Sequence, residues 1–278
     1  MEVFKEKLAL IAYLKNKPNI GFVPTMGALH KGHVSLIHLS VNQCDTTVCS
    51  IFVNPTQFND KKDLINYPRT EAQDLELLKE AGCDVVFMPE VDEIYPKGYT
   101  LQTYNFGNIE KVMEGEHRPG HFNGMANVVQ RFFEIVKPNF AFFGEKDFQQ
   151  LCVVKQLIEM LQLKITIVPG KIIRENDGLA MSSRNMLLNE EERKQAVGIY
   201  QTLTLVKSKK STHSLSQLIE LAYKNFENYP LITPEYIQFA YSDNLQSVNS
   251  VDISRPIMMF MAVKLGKVRL IDNMPIYE

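Results

Sequence analysis

Ile20-Gly21-Phe22-Val23-Pro24-Thr25-Met26-Gly27-Ala28-Leu29-His30-Lys31-Gly32-His33 runs from a short apolar strand pattern, through a glycine-bearing loop, into the start of a helical pattern. Open α/β sheets bind ligands at such loops, where a buried strand ends and a helix begins. Gly27 and Gly32 let backbone come close to a ligand. The helix opening near His33 offers unpaired N–H groups and a positive dipole end to phosphate. Three residues apart, His30 and His33 fall on one side of the turn and have donors for phosphate oxygens. The stretch is neither G-x-G-x-x-G nor a Gly-Lys-Ser/Thr phosphate loop. Metal ligation by the pair has no H-E-x-x-H context and no cysteine partner to support it. Two surface histidines on a loop is the plainer reading of the pair alone; the strand, glycines and helix around it favour a functional one. His38, flanked by Leu36, Ile37 and Leu39, reads as structural.

Outward from this stretch, residues 20–23, 46–53, 85–88, 140–143 and 165–168 are short apolar runs bounded by Gly, Pro or Asn, which predicts buried parallel strands. Helical periodicity fills 34–43, 71–81, 126–136 and 148–161 between them. The alternation predicts a doubly wound, Rossmann-like α/β domain. Thr70 and Gln73 form a capping box for the helix at Glu71, and Gly82 stops it. Residues 1–14 read as one helical stretch. The pattern changes after Arg174, so residues 1–174 form the larger domain and 175–278 a smaller α+β one. The smaller domain is expected to hold helices at 190–207 and 215–228, then strands at 235–241, 256–264 and 268–271, with a turn at Leu265-Gly266-Lys267.

Composition excludes several classes. Hydrophobic residues at 45% and charged residues at 22% describe a chain that builds a core and is not disordered. A formal charge of −2 and scattered basic residues argue against nucleic acid as a partner. The run Lys207, Lys209, Lys210 reads as a solvated helix end. No segment is apolar for long enough to span a bilayer, and the four cysteines lack metal spacing and sit in apolar stretches. A cytoplasmic setting follows as the expectation.

Further motifs follow in order: Ser50 to Phe58 (SIFVNPTQF), Tyr67 to Thr70 (YPRT), Phe143 to Gln150 (FGEKDFQQ), Gly178 to Asn185 (GLAMSSRN) and Arg269 to Asn273 (RLIDN). His30-Lys31-Gly32-His33 resembles the H-x-G-H signature of nucleotidylyltransferases. The lead-in from Pro24 and the five later motifs together resemble the pantothenate synthetase family over nearly the whole chain.

The resemblance implies ATP-dependent condensation of pantoate with β-alanine through a pantoyl-adenylate, releasing pyrophosphate and AMP. Another H-x-G-H enzyme, such as a cytidylyltransferase, is the alternative, but it has no reason to carry Asn54-Pro55-Thr56-Gln57. A non-catalytic nucleotide module is a third reading, in which His33 and Arg184 are dispensable. Adenylation builds negative charge on phosphate oxygens, so His30, His33, Lys146, Ser182, Ser183 and Arg184 are the candidate donors. By resemblance His33 is the proton-donating catalytic residue, with His30, Lys146 and Arg184 beside it. ATP is likewise assigned to Met26, Gly27, Gly32, Gly144, Glu145, Asp147, Ile173 and Met181. Pantoate and β-alanine are assigned to Gln57 and Gln150, and further to Asn54, Tyr67, Arg118 and His121. Mg²⁺ accompanies ATP, with Asp74 as the protein candidate on what reads as a surface helix. The family often has a second acidic residue beside it, where this chain has Gln73. Phe148 stands where the family often has Tyr. A homodimer through the larger domain is also implied.

Overall fold

The computed structural model describes residues 1–252 and 254–278. In chain order the first half runs β1 (Glu2–Phe4), α1 (Lys7–Leu14), β2 (Ile20–Thr25), α2 (Lys31–Gln43), β3 (Thr46–Ile51), α3 (Lys61–Asn66), α4 (Glu71–Glu80), β4 (Val85–Phe87) and α5 (Val91–Ile94). Then follow α6 (Glu114–His117), α7 (His121–Val136), β5 (Phe140–Gly144), α8 (Phe148–Met160) and β6 (Thr166–Gly170). The remainder is α9 (Glu190–Gln195), α10 (Val197–Lys209), α11 (Leu215–Phe226), β7 (Ile232–Tyr241), β8 (Ile257–Leu265) and β9 (Val268–Tyr277).

Six parallel strands stand in the order β1-β4-β3-β2-β5-β6. Successive side chains on a strand leave by opposite faces, and here both faces are apolar. Phe22, Val48, Val85 and Ala141 join α1, α7 and α8 in one core. Their neighbours Val23, Cys49, Val86 and Phe142 join α2 and α4 in another. The sheet is thus wound on both sides, as the alternating pattern predicts.

The smaller unit is an antiparallel sheet, β7-β8-β9, with α10 and α11 on one face. Its other face, through Met258 and Phe260, packs on Met113 and reaches α8, where Phe148 meets Phe260 at 5.7 Å between ring centroids. Gly266 (φ 60°) makes the β8–β9 turn at the predicted position.

Four expectations need correction. The N-terminus is not one helix: Glu2–Phe4 pairs with the exposed edge of β4, where Phe4 finds the core, and the helix starts only at Lys7. Thr70 makes no side-chain cap to α4; its hydroxyl donates instead to Asp74 Oδ1 at 3.0 Å. The predicted 190–207 helix breaks at Ala196 into α9 and α10. His38 lies on the solvent face of α2, exposed and not part of the core.

Candidate active site

From β2 the chain proceeds outward through β3 and β4, and from β5 it proceeds the other way to β6. The order therefore reverses between β2 and β5, and the loops leaving their C-terminal ends open into one crevice. A cleft lies there, bordered by Met26, His30 and His33 from the first loop, Lys146 and Asp147 from the second, and Met181 to Arg184 from a third.

The first loop is held from behind. Gly27 (φ 78°) and Ala28 (φ 49°) adopt left-handed backbone, which aims the N–H groups of Ala28 and Leu29 at the two oxygens of Asp74, at 2.9 and 2.8 Å. A Cβ on Gly27 would meet Asp74 Oδ2 at 3.1 Å. Asp74 is 1% exposed, so the solvated surface position expected for it is wrong. Its carboxylate is spent on backbone and does not reach the cleft, and among the described residues no group of three His, Cys, Asp or Glu forms a metal site. Asp74 is therefore not placed to hold a magnesium ion in the cleft.

His30 caps α2. Its Nδ1 accepts from Gly32 N at 3.1 Å, while His33 Nδ1 accepts from His30 N at 3.3 Å. With both Nδ1 atoms accepting, each neutral ring keeps its proton on Nε2, free for a ligand. The rings lie 4.1 Å apart. Burial and the Lys146 charge lower His30 to about 4. Burial, His30 and Lys146 hold His33 well below its ordinary value. The expectation that His33 donates a proton at neutral pH is thereby narrowed: in this state it is a neutral hydrogen-bond donor.

Ser183 Oγ donates to Ala28 O at 2.9 Å and stitches the third loop to the first. Ser182 caps the short turn that follows, accepting from Arg184 N at 3.3 Å. Arg184 leans toward the Tyr67 ring and pairs with Asp63 at 2.9 Å, so a guanidinium waits at the cleft with a carboxylate partner. Lys146 has Asp147 as its neighbour at 3.5 Å.

The remaining polar lining of the cleft is built differently. Asn54 Nδ2 donates to Gln57 Oε1 and Gly124 O, both at 3.1 Å, and its Oδ1 accepts from Tyr95 at 3.0 Å, so Asn54 positions Gln57 and has little left for a ligand. His121 Nδ1 donates to Gln57 O at 2.8 Å, which leaves Nε2 to accept from Arg118 Nη1 at 3.2 Å. Burial, then the Arg118 charge, lowers His121 to about 3. His121 therefore orients Arg118. Glu114, missed from sequence, lies 3.7 Å behind the same guanidinium. Gln150 lines the cleft, whereas Gln149 is buried and holds Glu114 N at 3.0 Å. Met125, Val128, Val129 and Phe132 form an apolar floor that was also missed, because on α7 they are indistinguishable from core positions. Ile173 and Gly32 border the cleft; Gly27 and Glu145 do not.

A family model for pantoate-beta-alanine ligase matches residues 2–275. The chain belongs to that family. A pantothenate synthetase of Porphyromonas gingivalis is 44% identical over 277 residues, covering 98% of each chain. Among solved structures, pantothenate synthetase from Thermus thermophilus superposes with a TM-score of 0.94 at 35% identity over the whole of both chains. The Francisella tularensis pantoate-beta-alanine ligase, solved with beta-gamma ATP and beta-alanine, does so with 0.84 at 34% identity, covering 99% of this chain and 97% of that one. A match of this extent disposes of the cytidylyltransferase alternative.

Proposed function

We propose that the cleft joins pantoate to β-alanine at the expense of ATP, through a pantoyl-adenylate. The observation that carries this reading is the convergence of three loops bearing His30, His33, Lys146 and Arg184 on one cleft that Gln57, Gln150 and Arg118 also line, together with apolar side chains of α7. The first set suits a triphosphate, since its donors are fixed before charge develops. The second suits a hydroxy acid with an aliphatic body: the amides take hydroxyls and carboxylate, and Met125, Val128 and Val129 take the methyl groups. A pantoate carboxylate oxygen attacks the α-phosphorus and pyrophosphate departs with its electron pair. The amine of β-alanine then attacks the acyl carbon, loses a proton and expels AMP. His30 and His33 contribute Nε2–H donors, and Lys146 and Arg184 neutralise the phosphates. Arg184 exchanges Asp63 for phosphate on binding.

Magnesium enters with ATP, held by phosphate oxygens and water, the ordinary mode for that ion. The division into residues 1–174, binding nucleotide and pantoate, and 175–278, acting as a lid, belongs to the same proposal and is supported by the separate apolar core of the smaller unit. A cytoplasmic setting is supported by four free cysteines. The homodimer rests on the resemblance, and sedimentation velocity tests it. No helix among the described residues is long and apolar enough to cross a membrane.

The decisive assay supplies enzyme, Mg²⁺, ATP and pantoate without β-alanine and follows labelled pyrophosphate into ATP. Pantoate-dependent exchange is expected. Its absence from enzyme that forms pantothenate, with slow pyrophosphate release ruled out, sinks the stepwise route.

A further inference from the structure

Two adjacent residues of β9, Asp272 and Asn273, reach out of the smaller unit to the two loops that bring Lys146 and Arg184 to the cleft. Each is 3% exposed. Asp272 grips Arg174 through both oxygens, Oδ2 to Nη1 at 2.6 Å and Oδ1 to Nη2 at 3.1 Å. The same guanidinium donates to Gly178 O at 3.0 Å, while the backbone of Arg174 bridges Ala180 and Met181 N donates to Ile173 O at 2.9 Å. Asp272 thus clamps the base of the hairpin that presents Met181 to Arg184. Asn273 turns the other way, and its Nδ2 donates to Glu145 O and Lys146 O, each at 2.9 Å. Its own N–H is taken by Asp272 Oδ1 at 2.8 Å, which fixes one residue against the other.

Two carbonyls of the Lys146 loop require a double donor, which an amide supplies and a carboxylate does not. The Arg174 fork requires two coplanar acceptor oxygens, which a carboxylate supplies and an amide does not. The order Asp-Asn is therefore matched to its partners and not interchangeable. We propose that Asp272 and Asn273 are positioning residues for adenylation, setting Lys146 and Arg184 from a single strand so that both cations meet the phosphates together. This role rests on the adenylate-forming reading above.

The test is a coupling experiment on pantoate-dependent pyrophosphate exchange. Asn273→Asp keeps the side chain's shape but sets a carboxylate against two carbonyls. The exchange rate at saturation is expected to fall on the order of 10- to 100-fold, the cost of a misplaced catalytic group. The KM for pantoate stays within about twofold, since Gln57 and Gln150 are untouched. In a Lys146→Ala background the same substitution costs no more than about twofold, because the group it positions is gone. Asp272→Asn is tested likewise against Arg184→Ala. Should Asn273→Asp fail to fold by circular dichroism, Asn273→Ser, which keeps one donor, carries the same comparison. Equal losses with and without the Lys146 side chain overturn the positioning role, as does a pantoate KM that rises with the loss. If the parent enzyme shows no exchange at all, the adenylate reading fails first and takes this one with it.

Discussion

His30 and His33 occupy one turn of backbone and both spend Nδ1 on it, so their chemistry is set by what remains. Removing one Nε2–H donor by His33→Ala is expected to lower exchange on the order of 10²- to 10³-fold with an unchanged circular dichroism spectrum. Near-parental turnover removes His33 from the catalytic set. Both rings, with His121, also make a pH prediction. An ordinary histidine titrates at 6.5, but His30 is lowered to about 4 and His121 to about 3. As pH falls through 6.5 the unfolded chain takes up protons that the folded one refuses, so stability of the ligand-free enzyme is present above that pH and drains away between about 6.5 and 4. The slope approaches about 1.4 kcal/mol per pH unit for each such histidine. Urea titrations at pH 7.5, 6 and 5 measure it; a flat profile contradicts the neutral, buried assignment.

At the scale of elements, α4 acts on the loop of His30 from behind. Asp74 belongs to its first turn, where an acidic residue would ordinarily serve the helix dipole, yet both oxygens leave the helix to satisfy Ala28 and Leu29. Asp74→Ala strands those two buried N–H groups and is expected to destabilise the fold by about 2 to 3 kcal/mol. Exchange falls with it, because the loop carrying His30 loses its anchor. The magnesium concentration for half-maximal exchange stays where it was. A large rise in that concentration, with stability intact, would return Asp74 to the metal.

Across the whole molecule the two units meet at a buried carboxylate. Glu114 accepts from Arg269 Nη1 and Nη2, each at 2.7 Å, and from Tyr236 at 2.8 Å, all three donors coming from the smaller unit. Burial pushes its carboxyl up, but the hydrogen bonds and charge of Arg269, with Arg118, outweigh that and hold it at about 2. This contribution is present above 4.5, Glu114's ordinary value, and is lost as pH falls from there toward 2. Arg269→Met leaves Glu114 buried with only Arg118 and Tyr236, at a cost of about 3 kcal/mol in equilibrium unfolding. The KM for pantoate should rise as well, because Arg118 is drawn toward Glu114 and away from the cleft. Unchanged stability and KM would mean that the ion pair does not couple the units.

Local pattern was enough for the doubly wound sheet and for the loop of His30 and His33, because buried strands and glycine turns are written within a few residues of one another, whereas most other residues that line the cleft were named through the family resemblance of ordered motifs. Lys146 and Arg184 were legible for the same reason. Whether a given polar side chain faces ligand or protein was not. Asn54 and His121 read as ligand contacts and do border the cleft, yet their hydrogen bonds go largely to protein; Glu114 gave no local signal at all, since its partners lie at Tyr236 and Arg269. Asp74 looked solvated because helical periodicity reports a face, not what folds over it. Those outcomes depend on hydrogen bonds between segments distant along the chain, such as the 46 positions separating Ala28 from Asp74 within the larger unit and the 155 separating Glu114 from Arg269 across the two, and only tertiary packing brings such partners within reach.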